Sequence, residues 1–154
     1  MTEPTFNLNR AGLIAALEAQ AAEDGYLPAR AAIHLLTFTS LPGTAGFAAH
    51  LTPAERGYRV TDWDELLRDK KLRLTGSDVP MLELAASLAV GRRISLAGSL
   101  TGTLGWAHVA RVMEAVAIRC GQQKFFTVQP TPELDRLRAL QAELSGGGPR
   151  AAET

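Results

Sequence analysis

The chain of 154 residues holds one cysteine, three histidines and three lysines, and each scarcity closes off a class of chemistry. A lone Cys120 builds no disulfide framework, which fits a reducing compartment. His34, His50 and His108 are scattered, and none stands at i, i+4 from another ligand type, so neither a metal nor a cofactor is expected. No apolar run approaches the ~20 residues needed to cross a bilayer. The opening MTEPTFNLNR has neither the basic nor the apolar region of a signal peptide. A cytoplasmic protein with no membrane partner is the expectation.

Net charge is also missing: sixteen basic side chains balance sixteen acidic ones. The distribution is uneven. Two basic residues face five acidic before position 56, eleven face seven over 56–124, and three face four thereafter. The central excess permits an anionic partner without requiring one.

What is present is ordinary soluble composition, 46% apolar and 21% charged. The length suits one domain over 1–144, whose first residues 1–8 form a loose end, followed by a glycine-rich tail at 145–154. Apolar periodicity predicts a helix at 10–24 capped by Asn9 and another at 28–38 with Pro28 in its first turn. A short helix at 44–50 and a helical turn begun by the capping-box pattern Thr52-Pro53-Ala54-Glu55 follow. Thr61 or Asp62 caps a helix to about Lys70, its acids first and its bases last, as the helix dipole favours. Further helices are predicted at 79–90, 106–119 and 132–144. The aromatic, β-branched run 124–128 is the best strand candidate, with 93–96 as a second. The expected fold is therefore a mainly α, compact multi-helix domain with at most a small β-hairpin. Its core should contain Leu17, Leu36, Trp63, Leu67, Leu84, Leu88, Val109, Val112 and Val116.

Helix at 79–90, helix at 95–100, glycine turn, helix at 106–119, then a strand at 124–128: this order resembles the winged-helix class of DNA-binding proteins in outline. The resemblance covers about a third of the chain. It implies that His108 and Arg111 meet the groove of a duplex while Arg92 and Arg93, with Lys124 beside them, meet phosphates. Setting Gly105 at the usual turn glycine also puts Arg111 where that motif buries a branched apolar residue.

Gly98, Gly102 and Gly105 offer backbone amides ahead of a helix, as phosphate sites do. The acidic residue that dinucleotide sites carry about 20 positions later is absent, since that region contains Arg119, Cys120 and Gly121. Cys120 lies at a helix C-terminus, where the dipole opposes thiolate formation. No enzyme activity is expected. The last helix carries Leu134, Leu137, Leu140 and Leu144 between Pro130 and the glycine tail, a stripe suited to a partner protein or a second copy. Two functions thus lead, a small regulatory or adaptor protein that binds DNA and a protein-interaction subunit with no nucleic-acid role, with a nucleotide-binding enzyme using the Gly98, Gly102 and Gly105 loop behind them.

Overall fold

A computed structural model describes residues 9–100 and 104–146. The ends expected to be loose, 1–8 and most of 145–154, and residues 101–103 of the glycine loop lie outside the described residues. The architecture is mainly helical, with α1 (Arg10–Asp24), α2 (Leu27–Leu36), α3 (Trp63–Arg68), α4 (Asp78–Val90), α5 (Leu96–Ser99), α6 (Trp106–Arg119) and α7 (Pro132–Ser145). Two short 3-10 turns, Leu41–Gly43 and Phe47–His50, precede an antiparallel pair of strands, β1 (Leu51–Pro53) and β2 (Tyr58–Val60).

Helix α2 is the centre. Six of its ten residues are buried, because α1, α4 and α6 all pack on it. Helix α4 is apolar around most of its circumference, burying Met81, Leu82, Leu84, Ala85 and Ala86 between α2, α3 and α6. Start signals act locally as expected: Asn9 Oδ1 accepts from the Gly12 amide at 2.8 Å, and Asp62 Oδ1 accepts from Asp64 and Glu65 amides at 2.8 and 3.0 Å. A buried carboxylate ties two loops to α4. Asp78, at its first position, accepts from the Ser40 amide at 3.1 Å, the Thr75 amide at 3.0 Å and the Ser40 hydroxyl. Burial pushes its pKa up, but those donors outweigh it and hold the carboxyl below its usual range.

The strands form elsewhere than at 93–96 and 124–128. Neither segment is extended into a ladder, so the wing expected after α6 does not form, although the helices of that region do. The hairpin occupies 51–60, where a capping box had implied helix. Tertiary contacts to α1 decide this. Gln20 Oε1 accepts from the Arg56 amide at 2.7 Å, Arg59 pairs with Asp24, and Gly57 presses its backbone on the Ala16 carbonyl so closely that a Cβ would collide with it. Four residues, Ala54–Gly57, can close this turn, but one helical turn there would break all three contacts.

Of the expected core, Leu17, Leu36, Trp63, Leu84 and Val112 are buried, and Leu67 and Leu88 pack partly against them. Val109 and Val116 do not. They lie on the outer side of α6, because a different stripe of that helix meets α2.

Candidate functional site

Helix α6 has two usable faces. Toward α2 it buries Val112 and Ala115, with Ile118 packed alongside. The rest of that inner face is polar. His34 and Glu114 meet at 2.7 Å between Nε2 and Oε2, with the ring donating. Arg111 Nε donates to the His34 carbonyl at 2.8 Å and Nη2 to Thr37 Oγ1 at 3.3 Å, while its guanidinium lies 5.5 Å from the Phe38 ring centre. His108 meets the same ring edge-on at 5.2 Å. Burial pushes the His34 imidazole below its usual range despite the hydrogen bond from the ring to Glu114. Burial likewise lowers the Arg111 pKa, though a guanidinium remains a cation in this setting.

The residues expected to meet DNA are therefore placed unequally. His108 and Arg111 are brought together, but on the seam between α6 and α2. Arg92 is paired with Asp64 of α3. Arg93 and Lys124 are exposed.

The outer face carries Trp106, Val109, Met113 and Val116, spaced by three, four and three residues, all exposed. Met113 is 55% exposed, far above what a core methionine shows. After α6 the chain turns at Gly121 and runs back along this face. Phe126 and Val128 thereby form one wall of an open trough of about 580 Å³, opposite Met113, Val116 and Cys120. Phe125 and Phe126 are 76% and 66% exposed.

Helix α7 extends the surface. Thr131 caps it through the Leu134 amide at 3.4 Å, and Pro132 opens its first turn. It buries none of its residues: Leu134 is half-buried, while Leu137, Leu140 and Leu144 are exposed, the last at 85%. The Arg138 guanidinium lies 3.8 Å over the Trp106 ring, a cation–π contact that ties α7 to the start of α6.

Sequence reasoning found the leucine stripe of α7 but missed Trp106, Met113, Phe125 and Phe126. A signal was available. Helix α6 has more apolar residues than one face accommodates, and its polar residues His108, Arg111 and Glu114 share one side at i, i+3 and i+6. Among the described residues no group of three His, Cys, Asp or Glu side chains is placed to hold a metal ion. No described helix is long and apolar enough to cross a membrane. The glycine loop is described only at Gly98 and Gly105, with Gly102 outside the described residues.

An opening between α1, α2, β2 and α3 holds about 120 Å³, floored by Gln20, Asp24 and Arg59. It is smaller than the roughly 300–1,000 Å³ of small-molecule sites. No protein family, curated protein or solved structure matches this chain.

Proposed function

We propose that this chain is a non-enzymatic regulatory or adaptor protein of the cytoplasm that acts by docking on protein through the outer face of α6 and its continuation into 125–128 and α7. One observation carries the reading: exposed apolar side chains of α6 and of the segment after it share one trough. Met113 and Val116 of the α6 stripe stand across from Phe126 and Val128, and α7 meets the head of the stripe through the Arg138–Trp106 contact. Isolated apolar residues on a surface need no explanation, whereas a joined patch of this kind marks an interaction site.

Duplex binding draws less support. The helix that would enter a groove presents Trp106, Val109, Met113 and Val116 outward, and these carry little of the hydrogen-bonding equipment that reads base edges. Arg92 and Arg111 are already occupied by Asp64, and by the His34 carbonyl and Thr37.

Affinity capture with the full chain and with Met113→Glu tests the reading. The wild type should retain a protein, itself or another, that the variant loses while its circular dichroism stays unchanged. The reading is overturned if both retain the same proteins. It is equally overturned if the chain binds a labelled duplex with steep salt dependence that Met113→Glu leaves intact.

A further inference from the structure

The patch is wide enough to ask what covers it. Trp106 and Phe126 are 47% and 66% exposed, so at about 200 Å² for a whole aromatic side chain these two leave on the order of 200 Å² uncovered. Val109, Met113 and Val116 of α6 and Val128 across the trough extend it, and with the polar share that interfaces carry the face approaches the roughly 800 Å² that each partner contributes to a standard stable interface. A joined apolar patch of this kind marks an interaction site.

We propose that the occupant is a second copy of this chain, packed across a two-fold axis on the outer face of α6, with α7 completing the contact. This rests on the docking reading above and names its partner. Three features favour a second copy over another protein. The stripe is self-complementary: an axis passing beside Met113 sets two antiparallel α6 helices together with Val109 of one copy over Val116 of the other, so the same patch serves both sides. The charges of α7, which meets the patch through Arg138, are mixed, with Glu133, Asp135 and Glu143 interspersed with Arg136 and Arg138, so this helix offers no single-sign surface to an acidic or basic partner. Finally, the whole chain carries no net charge, and two copies approach without long-range repulsion.

Cys120 makes the contact measurable. It is the chain's one cysteine, it is exposed, and it lines the trough that the second copy would cover. Sedimentation equilibrium of the full chain should give twice the chain mass. Met113→Glu and Phe126→Ser should each sediment as monomers with unchanged circular dichroism. Alkylation of Cys120 should slow as wild-type concentration rises, and should be independent of concentration in both variants.

A wild type that stays monomeric at its solubility limit overturns the second copy. In that case, capture of another protein lost in Met113→Glu leaves the docking reading standing, and its absence removes both. A dimer that survives both substitutions and leaves Cys120 equally reactive at every concentration places the interface on another face, and also overturns the inference.

Discussion

Two valines one turn apart on α6 make the sharpest test of how this helix is seated. Val112 is 9% exposed at the contact with α2, and Val109 is 46% exposed on the outer face. Replacing Val112 with Asp removes a side chain whose burial is worth at least about 1.5 kcal/mol. It also leaves a carboxylate without a designed partner, which brings the total to on the order of 4 kcal/mol. Against a typical reserve of about 5–15 kcal/mol, that unfolds much of the population or lowers the melting temperature by roughly 10 °C. Val109→Asp enters water and should change monomer stability by no more than about 0.5 kcal/mol. Urea unfolding followed by circular dichroism, at one low protein concentration so that association does not contribute, gives both values. If Val109→Asp proves the more damaging, α6 is rotated relative to this account and the exposed patch disappears with it.

Three further outcomes follow from individual contacts. Gly57→Ala should lower stability by about 1–3 kcal/mol in a thermal melt, because the new methyl meets the Ala16 carbonyl and neither backbone can yield cheaply. Asp78→Ala should cost on the order of 3 kcal/mol by denaturant titration, since it strands the amides of Ser40 and Thr75 near the core. Because the folded Asp78 carboxyl is depressed, its contribution is present above the unfolded carboxylate pKa and is lost as pH falls through the folded value. His34 has the same sign for a different reason. Its folded pKa is lowered by burial, so the unfolded chain binds the proton more readily. Stability is then full above about pH 6.5 and declines as pH falls through that value. His34→Gln should flatten that decline between about pH 7.5 and pH 5.5 in urea midpoints, and an unchanged slope would refute the assignment.

Helix type and extent were largely legible in the sequence where a local start or stop signal and a single apolar stripe agreed. Asn9 caps the helix it was expected to cap, Asp62 of the two candidates caps α3, and α6 runs from Trp106 to Arg119 as its periodicity implied. The seating of α6 was not legible. A stripe containing Val109, Val112, Met113 and Val116 looks like a core face to any rule that puts apolar residues inside. The helix instead turns so that Glu114 and Arg111 bond His34 and Thr37 and His108 stacks edge-on to Phe38. Those partners lie over seventy residues earlier in the chain, beyond any local window. The hairpin at 51–60 was missed for the same kind of reason, because it is specified by Ala16, Gln20 and Asp24 on another element. The leucine stripe of α7 was legible as a pattern because a helical period can be read without a distant partner.

The central position of α2 has a consequence for the order in which the chain assembles. Its neighbour α1 ends two residues before it begins, whereas α6 starts about seventy residues after α2 ends. Closing the short connection costs little chain entropy, while the long one must be closed before Val112 and Ala115 repay it. On this ground the α1–α2 pair is expected to form early, and α6, anchored by two buried residues and a polar seam, is expected to join after it. In hydrogen exchange the amides of α6 should open by a subglobal route while those of α2 wait for complete unfolding.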